Sequence, residues 1–229
     1  MATPTQVYLN GAVSLVTSRQ YLAALGKLFV VTNPSPGTAV AFANNVAYSA
    51  TANGLWCISN NNPTGGATIQ VDRLKLIQTA VAPANNLQLR AEIFNETGIV
   101  ALTGTASART PVNVNPGSGN VTGAIVTTFA AGAGTIAAAA GTRRFIGSMS
   151  LAQGVNIRYD SVTFEFGTDG PSTGKVGVTA VRATDPADQV CWGPVVTIAP
   201  QTSSWMNLWG IAPDTNVPSY EFALYYSEI

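Results

Sequence analysis

The sequence predicts an all-β protein, an antiparallel β-sandwich of jelly-roll type with long irregular loops. Short runs of β-branched and aromatic residues recur along the chain, separated by glycine, proline, asparagine and serine. No convincing amphipathic helix exceeds about three turns, and no repeat of about 20–50 residues indicates a propeller or a solenoid. Long connections fit a jelly roll, because its Greek keys cross from one sheet to the other.

The N-terminal part contains two predicted strands and the best helix candidate. The first strand lies at 13–16 and is followed by a short helix candidate at 17–24. The second strand, at 27–31, ends before Pro34 and Pro36. Proline lacks the N–H that a β-ladder requires, so the ladder is expected to stop there.

Four further strands are predicted before residue 95. Strands at 46–51 and 55–60 flank Ala52-Asn53-Gly54, a hairpin signal because Asn and Gly accept positive φ. The segments 68–77 and 87–94 alternate between apolar and polar residues. This alternation predicts strands with one face in the core and the other toward water.

The middle of the chain is predicted to be largely irregular. The segment 104–120 carries two prolines and three glycines and is predicted to be a long connection. A strand is predicted at 125–129. The segment 130–141 is almost entirely alanine and glycine, so we expect a loop that is mobile or packed in a quaternary interface.

The C-terminal part is rich in strand signals and aromatic residues. The predicted strands are 143–151, 160–167, 175–181, 195–198, 204–210 and 220–226. In the segment 204–210, Trp205 and Trp209 alternate with Met206 and Leu208, so both faces of the strand are apolar. A strand that is apolar on both faces is covered on both sides. This favours core and interface packing over a flat aromatic platform that binds sugars.

The scarcity of charge predicts self-association. The 229 residues include 11 basic and 11 acidic residues and no histidine, which makes 10% charged against about 25% in a typical soluble domain. With every charge outside, a monomer would expose one charge per roughly 450 Å². Either Thr, Asn and Ser coat a neutral soluble protein, or copies of the chain or a larger assembly cover much of the surface. We prefer the second explanation, in which copies of the chain or a larger assembly cover the surface. The sequence also predicts a single domain over 1–229, with an extended N-terminal segment 1–25.

The residue types exclude most catalytic chemistry. Without histidine, no Ser-His-Asp or Cys-His arrangement is possible, and neither a nucleophile elbow nor a P-loop occurs. Paired carboxylates remain open for glycoside hydrolysis, but we expect Glu165 to be solvated or paired across strands. We therefore predict no enzyme activity, no catalytic residue, no cofactor and no metal site. The acidic candidates considered and set aside are Glu92, Asp160, Glu165, Asp169 and the turn at 185–188.

Cysteine usage and charge distribution also limit the function. Cys57 and Cys191 are predicted to be buried free thiols, although the sequence does not exclude a disulfide between them. The densest basic cluster is Arg143-Arg144, which is too small for electrostatic binding of nucleic acid. No membrane span and no secretory signal are recognisable, so the chain is expected to begin in a cytoplasm.

Four segments resemble capsid decoration (cement) proteins of tailed bacteriophages that are built on a jelly roll. The segment 11–21 is similar to their N-terminal entry, 71–77 to one of their sheet strands, and 219–226 to their aromatic final strand. The segment 110–115, with sequence TPVNVN, is similar to a recurring loop of these proteins.

This resemblance implies a structural virion protein on the capsid exterior, assembled in the host cytoplasm. Its implied partners are the major capsid protein and further copies of itself, commonly as a trimer, with neither nucleic acid nor membrane involved. It implies no active site. A role in forming the shell itself stays open, and the alternative from another class is a carbohydrate-binding or receptor-binding β-sandwich module.

Overall fold

The chain forms two packed β-sheets and one short helix within the residues that the computed structural model describes. These residues are 4–9, 12–33, 40–41, 54–80, 87–137, 141–153, 161–167, 176–177, 188–211 and 219–229. The elements in chain order are β1 (Pro4–Leu9), β2 (Ala12–Thr17), α1 (Ser18–Ala24), β3 (Leu28–Thr32), β4 (Val40–Ala41), β5 (Gly54–Asn60), β6 (Ile69–Ala80), β7 (Leu87–Glu96), β8 (Leu102–Arg109), β9 (Val112–Asn113), β10 (Ala124–Ile136), β11 (Arg143–Gln153), β12 (Ser161–Phe166), β13 (Val176–Gly177), β14 (Asp188–Gly193), β15 (Thr197–Ile198), β16 (Ser203–Ile211) and β17 (Ser219–Glu228).

The two main sheets confirm the predicted all-β sandwich. The six-stranded sheet has the order β11-β7-β16-β5-β10-β8, and the nine-stranded sheet has the order β13-β14-β12-β6-β17-β3-β9, with β15 beside β6 and β4 beside β17. Pairing is antiparallel except between β12 and β14. A separate hairpin of β1 and β2 precedes α1, within the predicted N-terminal segment 1–25. The jelly-roll form of the fold stays a prediction.

The main core lies between the two sheets and follows the predicted alternation. Along β17, Tyr220, Phe222, Leu224 and Tyr226 are buried, and the residues between them are half-buried. They pack with side chains of the six-stranded sheet such as Trp56. Burial of every second residue explains why period-2 patterns located β6, β12 and β17 in the sequence. β7 was located by the same pattern but is buried on both faces from Ala91 to Phe94.

A second, smaller core covers the opposite face of the six-stranded sheet. Successive residues of β5 point to opposite faces, and while Trp56 belongs to the main core, Cys57 belongs to this second cluster. Trp205 stacks there on Phe94 at 5.4 Å between ring centroids, and Val100 packs over the group. The prediction that β16 is buried on both faces is confirmed for residues 203–208. On this face the cover comes from the chain itself.

Two predictions of irregular structure are wrong. The segment 104–120 begins with the strand β8, and the segment 130–141 begins with the continuation of β10 to Ile136. Small residues serve close packing here: a Cβ added to Gly134 would lie 3.2 Å from the Cβ of Ala106. β8 is the last strand of its sheet, so it also tolerates Gly104 at a φ of +74°.

The remaining sequence predictions have mixed outcomes. The helix at 17–24 is confirmed as α1, and both cysteines are buried free thiols. The sequence did not predict β1 and β14. The strand at 46–51, the turn residues 52–53 and most of the strand at 175–181 lie outside the described residues, as do residues 185–187.

Candidate interaction surface

Asparagine side chains attach the connection between β9 and β10 to the end of helix α1. Asn113 Nδ2 donates to the carbonyl of Gly26 at 2.8 Å, and Asn115 Nδ2 donates to that of Ala24 at 3.2 Å. Asn120 Nδ2 also donates to Gly26 O, at 3.2 Å. The last carbonyls of a helix lack partners within the helix, so these amides cap α1 and hold the connection against it.

The connection is also hydrogen-bonded within itself. The Asn113 side-chain oxygen accepts from the Asn115 N–H at 2.9 Å, and that of Asn115 accepts from the Gly117 N–H at 3.0 Å. The hydroxyl of Ser118 accepts from the Asn120 N–H at 3.1 Å. Such side-chain turns fix the backbone without regular secondary structure.

The far end of the connection is attached to β17. The carboxylate of Glu228 accepts from the Thr122 hydroxyl at 2.5 Å and from the Gly123 N–H at 2.9 Å. The phenol of Tyr226 donates to the Thr122 hydroxyl at 3.0 Å. Burial raises the pKa of the Tyr226 phenol above its usual value, so it remains a donor at neutral pH. The connection is therefore held at both ends by residues distant in the sequence.

This ordered connection presents apolar side chains to solvent. Val112 is 61% exposed and Val121 is 87% exposed, and Val114 and Ile125 are exposed as well. Residues 110–142 contain no charged side chain. Single exposed apolar residues are common, but four within one 14-residue stretch are a concentration typical of interaction sites. We call Val112, Val114, Val121 and Ile125 the valine surface.

The sequence offers three loops, 33–37, 104–120 and 130–141, as candidates for contact with a partner, and the structure changes this set. Of residues 33–37 only Asn33 is described, and 130–136 belong to β10. The part of 104–120 beyond β8 holds Val112 and Val114, two of the four residues of the valine surface, and its hydrogen bonds order it without a partner. A partner would therefore meet a preformed surface, which saves the entropy of ordering a loop on binding.

The carboxylate of Glu165 takes part in an ion pair. Glu165 lies between the buried Phe164 and Phe166 and forms an ion pair with Arg19 of α1. Its partner in the ladder of the adjacent strand β6 is Arg73. Asp160 and Asp169 lie outside the described residues. Glu92 is buried on β7, in the other sheet, 3.4 Å from Arg90.

Asp72 is an acidic residue that the sequence did not single out. Its Oδ2 atom is buried without a hydrogen-bond partner. Burial raises the pKa of Asp72 to about 6; Glu165 adds to this rise, while Arg19 and Arg73 oppose it. A β-bulge places Asp72 between the ladder positions of Val71 and Arg73, which no alternation pattern reveals.

We expect the substitution Asp72→Asn to stabilise the protein at pH 8 by about 1–3 kcal/mol. The pKa of Asp72 is about 6 in the folded chain against 3.8 ordinarily, so its ionised form is disfavoured by folding. Wild-type stability should fall as pH rises from about 4 through 6, and this fall should be smaller in the variant. Urea unfolding at pH 4 and pH 8 measures it. Glu165→Gln is the control: it removes the ion pair with Arg19, so it should lower rather than raise the stability at pH 8. An Asp72→Asn variant less stable than wild type at pH 8 would contradict the prediction.

The aromatic residues near the C-terminus do not form an exposed platform. Trp205, Tyr220, Phe222 and Tyr226 are buried, and the side chain of Trp209 lies outside the described residues. Trp192 and Tyr225 are half-buried, and the guanidinium of Arg73 lies 4.6 Å from the centroid of the Tyr225 ring. Most of these rings are therefore unavailable to a sugar.

The basic cluster Arg143-Arg144 is divided by the fold. Arg143 Nε lies 3.3 Å from Oε2 of Glu96, whose side chain is fully buried, and the Arg143 guanidinium lies 4.7 Å from the Trp205 ring centroid. Arg144 is exposed. Only Arg144 therefore presents an unburied charge at this position.

Other classes of site find no support within the described residues. No group of three or more His, Cys, Asp or Glu side chains converges there. In the same part of the chain, no helix has the length and apolarity needed to cross a bilayer. Burial raises the pKa of Cys57 to about 12 and that of Cys191 to about 11, so neither thiol is a ready nucleophile. Comparison with protein-family models and with curated proteins finds no match for this chain.

Proposed function

We propose that this chain is a structural virion protein, a capsid decoration (cement) protein of a tailed phage. It binds the outer face of the head as a trimer and stabilises neighbouring major capsid subunits. The observation that carries the proposal is the valine surface, which is apolar, uncharged and ordered in advance. The segment 110–115, on which part of the resemblance to decoration proteins depends, contributes two of its four residues, Val112 and Val114.

The composition of the surface defines how attachment works. Surface ion pairs contribute only about 0–1 kcal/mol each, and salt screens them beyond about 8–10 Å. The connection offers no charge for such pairs, so apolar contact and backbone hydrogen bonds must supply the affinity. Each exposed valine that becomes buried contributes about 1.5–3 kcal/mol at full burial.

We expect Val121→Asp to weaken binding to capsids that lack the protein by at least tenfold, or about 1.4 kcal/mol. Val121 is 87% exposed, so the substitution should leave the melting temperature unchanged. Val195→Asp is the matched control, because Val195 is 63% exposed and lies outside the valine surface. Wild-type binding should change by less than about tenfold from low to molar salt. Co-sedimentation of labelled protein with capsids measures both effects.

Two outcomes would contradict the proposal. Release from capsids at moderate salt, reproduced by Arg144→Ala, would indicate an electrostatic clamp. Micromolar binding to a defined sugar on a glycan array, lost in Trp192→Ala and retained in Val121→Asp, would indicate the carbohydrate-binding alternative.

A further inference from the structure

A cleft of about 430 Å³ lies beside the valine surface. Phe29 of β3 and Val126 of β10 are among its apolar lining residues, while Arg109 and Thr122 are among its polar ones. β3 belongs to the nine-stranded sheet and β10 to the six-stranded sheet, so the cleft opens between the two sheets. Its volume lies in the range of small-molecule sites, about 300–1,000 Å³.

Arg109 directs its charge toward the interior of the sandwich. In the ladder between β8 and β10 it faces Val126, which belongs to the core between the sheets. Its Nε atom donates to the hydroxyl of Thr128 at 2.7 Å, and Thr128 is 1% exposed. The guanidinium therefore lies at the inner side of the sheet, where it lines the cleft.

The charge of Arg109 has no counter-ion among the described residues. The bond to Thr128 is the one hydrogen bond that the side chain makes there, and its Nη2 atom is buried without a partner. Desolvation alone lowers the pKa of Arg109, with no acidic neighbour to oppose it. Arg109 is half-buried, and only its Nη2 atom is buried without a partner, so an anion that entered the cleft would relieve the cost of that atom's lost hydration.

The surroundings of the cleft select the class of anion. One guanidinium can neutralise one negative charge, and its planar donors match the two oxygens of a carboxylate. The carboxylate of Glu228 lies behind Thr122, at 2.5 Å from its hydroxyl, and would repel a second negative charge. Phe29 and Val126 offer contact to an apolar stem rather than to a further polar group.

We propose that this cleft binds a carboxylate carried on a short apolar stem, with the Arg109 guanidinium as its counter-ion. Two sources share this chemistry: a free small acid and the side chain of a glutamate on a partner protein. The proposal holds whether or not the protein decorates a capsid.

The test uses the full chain and sodium hexanoate as the probe. Titration followed by calorimetry should give a dissociation constant in the millimolar range, as expected for a ligand of this size. Hexanamide, which has the same stem without the charge, should bind at least tenfold more weakly. Arg109→Gln should weaken hexanoate binding at least tenfold, whereas the exposed Arg144→Gln should leave it unchanged.

Further measurements distinguish the two sources of the carboxylate, and several results would contradict the proposal. Binding of glutamate blocked at both ends, but not of blocked glutamine, would indicate a partner side chain; binding of hexanoate alone would indicate a free acid. Absence of hexanoate binding at concentrations about tenfold above the expected millimolar dissociation constant would overturn the proposal. Equal binding of hexanamide would overturn it as well. Unchanged hexanoate binding in Arg109→Gln, with a lower melting temperature, would assign Arg109 a structural role instead. Inorganic phosphate binding more tightly than hexanoate would overturn the carboxylate assignment.

Discussion

A chain that ends at residue 218 is expected not to fold. The deletion removes β17, which lies between β6 and β3 in the nine-stranded sheet and pairs with both. Four large buried side chains leave with it, those of Tyr220, Phe222, Leu224 and Tyr226. Each contributes about 1.5–3 kcal/mol by burial, while a whole domain is stable by only about 5–15 kcal/mol. The loss of these contacts is therefore comparable to the entire stability of the domain.

Circular dichroism and thermal melting of the truncated chain measure this prediction, and aggregation is the expected result. The substitution Leu224→Ala is the milder test, with an expected loss of about 2–5 kcal/mol, because Leu224 is fully buried. Ala223→Ser on the half-buried opposite face of the same strand is the matched control and should change stability by less than about 0.5 kcal/mol. A truncated chain that melts at the temperature of the full chain would show that β17 is peripheral.

Arg143→Ala is expected to destabilise the protein by about 3 kcal/mol, with Arg144→Ala nearly neutral. Arg143 neutralises Glu96, whose side chain is fully buried, and its guanidinium covers Trp205. Removal of Arg143 leaves the buried carboxylate of Glu96 without this cation, which costs more than the pair itself contributes. For a chain of this length the shift in melting temperature should be roughly 6–12 °C.

Chemical unfolding of the two single variants distinguishes the neighbouring arginines. The double variant Glu96→Gln with Arg143→Ala should recover part of the loss, because it no longer buries a carboxylate that has lost the charge of Arg143. Equal effects of Arg143→Ala and Arg144→Ala would show that the ion pair with Glu96 does not stabilise the fold. For the same reason, Arg144 rather than Arg143 is the residue with which to test an electrostatic mode of attachment.

The strands with one buried face could be predicted from the sequence. In β6, β12 and β17, alternate residues enter the core, so the period of burial is visible in the order of residue types. The position of α1 and the burial of β16 on both faces could also be predicted, because both follow from the local composition of the chain. The edge strand β8 and the extension of β10 could not be predicted. Their small residues pack against each other across the two strands, but along the sequence such residues are typical of a loop.

The all-β class, most core strands, the scarcity of charge and the absence of histidine can be predicted from residue type and local spacing alone. Which polar groups meet depends on how distant segments pack. Asn113 reaches the end of a helix 87 positions away, and Glu96 meets Arg143 across 47 positions. Packing likewise raises the pKa of Asp72 to about 6 and places Arg109 on a cleft with no counter-ion in the part of the chain that the structure describes. Electrostatic energies depend on distance and local dielectric, and both are set by packing between segments that are remote along the chain.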